Sequence, residues 1–281
     1  MRCSLIISVY NDIRFLAMIF ESLKRQTEKD FEVVLADDGS GKEFTDAVAR
    51  FAGALPFPLV HVWHEDKGWR KDVILNKAVM AAGGDYLIFL DGDCIPHHKF
   101  IAEHLRFAMP GKVVGGRRVQ LTRRLSEELT PEKVAAGYLG WKIVPELLWS
   151  GIKGEERHTE ECIRITGGFI RHLLLKERWS NLLGCNFSMY KEDLLAVNGF
   201  DERFTLPGLG EDSDLENRLN RIGIYCKIER HIMTVYHRSH KRTEPDSMAN
   251  IEVFNYNNAN NISWTPYGIE KREAPAPDAG E

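Results

Sequence analysis

Apolar and polar positions divide the chain into three stretches of different texture. Ser4 to Val9 (SLIISV) is almost unbroken apolar sequence, the pattern of a strand buried on both faces rather than one. Asn11 and Asp12 then offer a helix cap, and Leu16, Ile19, Phe20 and Leu23 recur at helical spacing. The alternation continues. Phe31 to Ala36 reads as a strand ended by the turn cluster Asp37-Asp38-Gly39-Ser40, and Glu43 to Phe51 as a helix. Leu59 to Trp63 follows as a strand, Arg70 to Ala82 as a helix stopped by Gly83-Gly84, and Tyr86 to Leu90 as a strand. Strands alternating with helices of about ten residues predict βαβ units. The expected fold class is α/β, a mainly parallel sheet flanked by helices.

Four parts are expected. Residues 1–119 carry the alternating pattern. Residues 120–181 read as a helical middle segment, with Tyr138, Leu139, Trp141, Ile143, Leu147 and Trp149, then Phe169 to Leu183 with Trp179. Residues 182–242 return to strand–helix–strand patterning as a small C-terminal lobe. Residues 243–281 form a tail rich in Asn, Pro and Ala, its last ten or so residues expected to be disordered. The tryptophans of the middle segment, set among leucines and basic residues, suit core packing, an interface, or peripheral contact with a membrane surface.

Composition narrows the function classes. The chain has 281 residues, enough for a substantial core, and 43% apolar with 28% charged residues excludes a disordered or fibrous chain. With 37 Lys+Arg against 41 Asp+Glu the net charge is -4, so no nucleic acid partner is expected. The five cysteines form no C-x-x-C pair and are odd in number, which argues against a disulfide framework or a zinc site and fits a reducing compartment. The apolar run at the amino terminus stops at Val9, short for a signal-peptide core. A cytoplasmic protein is expected, with contact at the inner face of a membrane as its closest approach to lipid.

In an open parallel sheet, ligands bind beyond the carboxyl ends of the strands. Three polar clusters fall there: Ser8 with Tyr10 and Asn11, Asp37 with Asp38, and Asp91-Gly92-Asp93. Each alone reads as a turn or cap; together they mark one edge. The two carboxylates of Asp91-Gly92-Asp93 repel unless a cation or a hydrogen-bonded sugar lies between them. Oxygen ligands beside a diphosphate suit Mg2+ or Mn2+. Neither a G-x-G-x-x-G turn nor a G-x-x-x-x-G-K-[ST] loop is present, so a nucleotide would be held by side chains and an ion. Glu211, Asp212 and Asp214 stand ahead of Leu215, Leu219 and Ile222 at helical spacing, where acidic side chains are ordinarily caps. His237 follows the apolar run Ile232 to Tyr236 and by itself reads as a surface histidine.

SLIISVYND, FEVVLADDGS and YLIFLDGD, at these separations, resemble the inverting family-2 glycosyltransferases of GT-A fold over about residues 3 to 118. GCNFSMYKEDLLAVNGFDERF, GLGEDSDLENRL and VYHRSH resemble the catalytic lobe of β-1,4-galactosyltransferases, polypeptide N-acetylgalactosaminyltransferases and bacterial chondroitin polymerases. The resemblance implies a UDP-sugar donor, with Tyr10 stacked on uracil, Ser8 lining the same pocket and Asp38 accepting the imide hydrogen. It implies Arg70 and Asn76 facing the nucleotide, Asp91 on the ribose, and Asp93 with His237 on Mn2+ (or Mg2+). It implies Glu211 and Asp212 handling the acceptor, with Asp212 as base, and a cell-envelope glycan or lipid-linked oligosaccharide as acceptor. The aromatic residue usual before the acidic pair (W-G-x-G-G-E-D) is replaced by Leu206-Pro207-Gly208-Leu209-Gly210. That departure bears on the acceptor sugar rather than the reaction. Two other classes stay open: a sugar-nucleotide nucleotidyltransferase, which would want a Gly-rich basic loop that Leu5 to Ile13 lacks, and a non-catalytic nucleotide- or glycan-binding module.

Overall fold

A computed structural model describes residues 2–156, 158–167, 182–208, 210–240 and 248–271. Strand β1 (Cys3–Val9) lies between β2 (Phe31–Asp37) and β4 (Tyr86–Asp91), and β3 (Leu59–Trp63) pairs with β2, all four parallel. Helices α1 (Ile13–Lys24), α2 (Lys42–Ala52) and α3 (Lys71–Ala81) connect them. Asp12 caps α1, its carboxylate accepting the amide of Phe15 at 2.8 Å. The chain continues through β5 (Cys94–Pro96), α4 (Phe100–Phe107), β6 (Lys112–Gly115) and β7 (Arg118–Gln120). Beyond the middle segment come β8 (Asn186–Tyr190), α8 (Lys191–Ala196), α9 (Glu211–Arg221), β9 (Tyr225–Ile228), β10 (Val235–His237) and α10 (Met248–Ala259).

The seven-stranded sheet has the order β3-β2-β1-β4-β8-β6-β9. β8 pairs antiparallel with both β4 and β6, and β6 pairs parallel with β9. The sequence-based division at 119 and 182 therefore crosses a continuous sheet: β8 and β9, from the expected C-terminal lobe, complete the sheet begun by β1 to β4. A second sheet, β5-β10-β7, sets His237 opposite Cys94 and beside Gln120.

Alternation along the strands separates two apolar layers. Leu5, Ile7, Val33, Leu35, Ile88 and Leu90 face α1 and α2, while Ile6, Val34, Leu87 and Phe89 face α3 and α9. Both layers are covered, which is why the strands read as continuous apolar runs.

The middle segment is helical in its described part: α5 (Arg123–Glu128), α6 (Pro131–Ala135), α7 (Val144–Ile152) and a 3₁₀ turn at Thr159–Cys162. Leu125, Leu129, Val134, Leu139, Ile143 and Leu147 enter the core on the α1 side. Arg14 of α1 donates to the carbonyl of Leu129 at 2.6 Å, and Arg25 to that of Ala135 at 2.7 Å. Trp141 and Trp149 are not core; they are 80% and 59% exposed, with Ile152 at 77%. Trp179, most of the Phe169 to Leu183 stretch and the last ten residues lie outside the described residues. Among the described residues, no helix is long and apolar enough to cross a membrane.

Helices α3 and α9 are fixed to one turn between them. Arg218, fully buried, bonds Asp214 at 2.7 Å and the carbonyls of Val197 and Gly199 at 2.8 and 2.9 Å. From the other side, Asn76 of α3 bonds the carbonyl and the amide of Phe200 at 2.9 and 2.8 Å. The amino ends of both helices are thereby brought to the carboxyl edge of β1 and β4.

Candidate active site

The sheet register sets Ser8 level with Asp91, and Val9 level with Asp37. Ser8 Oγ donates to Asp91 Oδ1 at 2.9 Å, and Lys71 Nζ lies 2.8 Å from the same oxygen. The bend at Asp91-Gly92-Asp93 needs glycine because of a close approach, not a positive φ. A Cβ on Gly92 would lie 2.6 Å from the Ser8 carbonyl oxygen, which accepts the Gly92 amide at 2.8 Å.

Farther along this edge, Tyr10 is 54% exposed, its hydroxyl donating to Asp66 Oδ2 at 2.9 Å. Asp38 is held from two sides, by His64 Nε2 at 2.7 Å and the Arg70 amide at 2.8 Å. A carboxylate has about four acceptor positions, so a further donor can still bind. Asp37, fully buried, accepts the Ser40 amide at 2.8 Å and faces His61 at 2.8 Å; it builds the turn and is not presented outward. Arg70 turns its guanidinium to the carbonyl of Glu65 at 2.7 Å, bracing the 65–70 loop.

Asn76 is a correction. It is 3% exposed and both ends of its amide are bonded to the Phe200 backbone, with a further bond to Glu202 at 3.0 Å. It locks α3 to the 197–202 turn and does not face a nucleotide.

At the other end of the Asp91-Gly92-Asp93 bend, Asp93 Oδ2 lies 3.1 Å from His237 Nε2 and 3.3 Å from His240 Nε2. Burial alone would raise the Asp93 carboxyl, but the bonds from His237 and His240 outweigh it and hold the group well below the usual carboxylate range. Donor atoms at roughly 2.1 Å from an octahedral ion stand about 3.0 Å apart, so the Asp93–His237 and Asp93–His240 separations each suit neighbouring ligands of a divalent cation. His237 Nδ1 is buried without a partner among the described residues, so the ring's polar contact is made through Nε2, toward Asp93. Cys94 lies in the same cluster, but burial and the neighbouring Cys185 push its thiol up, and it serves as a donor to Asp93 at 3.4 Å. His240 had not been anticipated as a ligand; the His-x-x-His spacing after β10 is its only trace in sequence.

The acidic pair opens α9. Gly210, at φ +109°, is the N-cap and gives no side-chain bond, so Glu211 and Asp212 begin the helix rather than cap it. Asp212 accepts the Ser213 amide at 2.8 Å and the Gly184 amide at 3.3 Å. Glu211 is pushed up by burial, against which Lys71, 3.7 Å away, acts. Ser8, Lys71, Asp91, Gly184, Glu211 and Asp212 line one small cavity. Donor-edge and acidic-pair residues, read separately from sequence, thus meet. Lys71 was missed; it lies beside Arg70 in the same motif, but nothing in its spacing marks it. Next to His240 opens a cleft of about 780 Å3, lined by Arg117, Arg118, Gln120, Glu156 and His158 among others. Lys241 and Arg242, which follow His240, lie outside the described residues.

Residues 4–158 match Glycosyl transferase family 2, and residues 166–241 match the N-terminal domain of galactosyltransferase. The chain is 29% identical over 268 residues to Validoxylamine A glucosyltransferase of Streptomyces hygroscopicus subsp. jinggangensis, covering 89% of this chain and 60% of that protein. It is 26% identical over 229 residues to chondroitin synthase of Escherichia coli, covering 80% of this chain and 33% of that one. The chain thus spans three-fifths or less of the length of these two relatives. Two solved structures share the fold. Mannosyltransferase PcManGT of Pyrobaculum calidifontis, in complex with GDP-Man and Mn2+, aligns at a TM-score of 0.54 and 18% identity, over 88% of this chain and 59% of its own. S. aureus TarS aligns at 0.54 and 16% identity, over 92% and 39%. With more than half its length matched by the family and an α/β sheet of the same architecture, the chain belongs to glycosyl transferase family 2.

Proposed function

We propose that this protein is a metal-dependent inverting glycosyltransferase that moves a hexose or N-acetylhexosamine from a UDP-sugar to a hydroxyl of a cell-envelope glycan or lipid-linked oligosaccharide. The observation that carries the reading is the convergence of Asp91, Glu211 and Asp212 on one cavity, next to the Asp93–His237–His240 cluster. Tyr10 offers its ring to uracil, Asp38 accepts the imide hydrogen, and Asp91 presents Oδ2 to the ribose hydroxyls while Ser8 and Lys71 hold Oδ1. Asp212 takes the proton of the acceptor hydroxyl. The freed oxygen attacks the anomeric carbon, and the sugar–phosphate bond breaks on the opposite face with its electron pair leaving on the diphosphate. A divalent ion held by Asp93, His237 and His240 would neutralise that departing charge. Incubation with Mn2+ and each UDP-sugar in turn should release UDP for one of them. Release of pyrophosphate from a nucleoside triphosphate and sugar phosphate would instead identify a nucleotidyltransferase.

Nucleotide choice follows from Asp38. A carboxylate accepts from the uracil imide N–H but faces a lone pair at the same position of cytosine. UDP is therefore expected to bind more tightly than CDP in calorimetry with Mn2+ present; CDP binding at least as tightly would overturn the assignment of Asp38.

Trp141, Trp149 and Ile152 stand exposed with Lys142 and Lys153, just before the residues that line the large cleft. Bulky apolar side chains with basic neighbours suit the interface of an anionic membrane, which would set the cleft beside a lipid-linked acceptor. The protein should float in part with vesicles containing anionic lipid, and Trp141→Ser with Trp149→Ser should abolish flotation. Wild-type protein left wholly unbound would remove the membrane from this reading.

A further inference from the structure

Lys71 is a lysine where local rules would not place one. It is the first residue of α3, at the positive end of the helix, where a cation is disfavoured by the macrodipole. Its side chain is only 16% exposed, so the ammonium has lost most of its water. What offsets both costs is the set of carboxylates around it. Asp91 at the end of β4 lies 2.8 Å away and Glu211 at the start of α9 lies 3.7 Å away. Asp212 lines the same cavity, and Asp72, the next residue of α3, is 1% exposed with neither oxygen hydrogen-bonded among the described residues. Local departures of this kind concentrate where function demands them.

We propose that Lys71 is a positioning residue that couples the donor edge to the acidic pair, holding Asp91 by one oxygen so that the other faces the donor, and holding Glu211 in place beside Asp212. This rests on the sugar-transfer reading above and goes beyond it, because it makes the two halves of the site interdependent through one side chain. Asp91 and Glu211 come from elements 120 residues apart in sequence, and Lys71 belongs to a third element that touches both. Burial pulls the ammonium down, but Asp91 and then Glu211 outweigh it and hold Lys71 charged well above its usual range. Burial also pushes Glu211 up, and Lys71 is the charge opposing this, while Asp212 and Asp91 act in the same direction as burial. Removing Lys71 leaves Asp91, Glu211 and Asp212 facing one another with no cation among them. The cheapest relief is for Glu211, already pushed up by burial, to keep a proton more readily. Asp72 is already pushed up by burial and by Glu211, with Arg218 and Lys71 opposing, and Asp201 adding to the rise.

The test compares wild type, Lys71→Met and Lys71→Arg for UDP release from the UDP-sugar that the wild type turns over, with Mn2+, across about pH 5 to 9. Met keeps the length of the stem and removes the charge; Arg restores the charge with a wider head. Lys71→Met is expected to lower kcat by about 10–10²-fold and to move the acid limb of the pH profile to higher pH by about one unit or more. The sign follows from Glu211: losing an opposite charge raises a carboxyl pKa, so the ionised form is reached only at higher pH. The KM for the donor should rise with the loss of Asp91 orientation, and Lys71→Arg should return the acid limb to its original position. A merely structural lysine would move stability and leave the limb where it was. If Lys71→Met does not fold, Lys71→Met with Glu211→Gln removes the uncompensated charge and should restore folding; failure to do so overturns the ion-pair account. A folded Lys71→Met with wild-type pH profile and donor KM overturns the inference while leaving the sugar-transfer reading intact. A wild type that releases no UDP from any UDP-sugar overturns that reading and takes this inference with it.

Discussion

Treatment with EDTA is expected to abolish UDP release, and Mn2+ to restore it better than Mg2+. The donor's diphosphate carries its charge to an edge already holding Asp38, Asp91 and Asp93, and no phosphate-binding glycine loop is present to receive it. Lys71 is already engaged by Asp91, so the proposed reading expects a divalent cation to meet the diphosphate. Asp93 Oδ2 lies 3.1 Å from His237 Nε2 and 3.3 Å from His240 Nε2, in each case the spacing of neighbouring ligands on one ion. Two imidazoles among three donors favour Mn2+ over Mg2+, which prefers oxygen throughout. Lewis-acid stabilisation of a departing diphosphate is worth several kcal/mol, so the rate should fall by about 10²–10⁴-fold without the ion. Asp93→Ala and His237→Ala should reproduce the loss and abolish Mn2+ binding in calorimetry. His240→Ala, at a residue 43% exposed in its side chain, should weaken Mn2+ binding by a smaller factor, about 10–10²-fold. Full activity in a metal-free sample would leave Asp91-Gly92-Asp93 as a turn packed against β1 and would return His237 and His240 to simple hydrogen-bond partners of Asp93.

Elements whose signal is local were legible in the sequence. SLIISV, FEVVLA and YLIFL became β1, β2 and β4 because each is buried on both faces, and the Asp12 cap and the ends of α2 and α3 follow from neighbouring residues. The candidate site was legible where it sits at a strand end, as with Ser8, Asp38, Asp91 and Asp93, because a parallel sheet sends all such ends to one edge. What was not legible depends on distant pairing. Asn76 looked like a polar residue on a helix beside a nucleotide; its amide is consumed by Phe200, 124 residues on. Lys71 is an ordinary helix-start lysine until β4 and α9 bring Asp91 and Glu211 to it. The C-terminal lobe looked separate because its strands follow a helical insertion, yet β8 pairs with β4 through Leu90↔Asn186 and completes the first sheet. The role of Gly92, space for the Ser8 carbonyl, is set by β1, more than 80 residues away in sequence.

Asp212→Asn is expected to lower transfer by roughly 10²–10⁴-fold while leaving the protein folded and able to bind UDP and Mn2+. The substitution separates a base from a structural acid because Asn preserves shape but cannot take a proton. Asp212 accepts the Ser213 amide on Oδ1 and the Gly184 amide on Oδ2, so the single carbonyl oxygen of Asn keeps the shorter bond, to Ser213, and gives up the one at 3.3 Å to Gly184. The helix cap is Gly210, so the change removes no side-chain cap; what it removes from α9 is a charge at the positive end, a term of about 0.3–1 kcal/mol. A purely structural role therefore predicts a small loss of stability and near-normal turnover. The catalytic role predicts the opposite division, because an amide cannot accept the acceptor's proton and the attacking oxygen stays a neutral hydroxyl. UDP and Mn2+ should still bind, since Tyr10, Asp38 and Asp91 lie on the β1–β4 edge and Asp93 with His237 on the β5–β10 side. Folded Asp212→Asn with near-normal transfer would leave Glu211 as base, a carboxyl in the same cavity that burial pushes up. Loss of UDP binding in the same variant would mean that the amino end of α9 organises the donor through Lys71 and Asp91, and that the roles assigned to the two sides of the cavity must be merged.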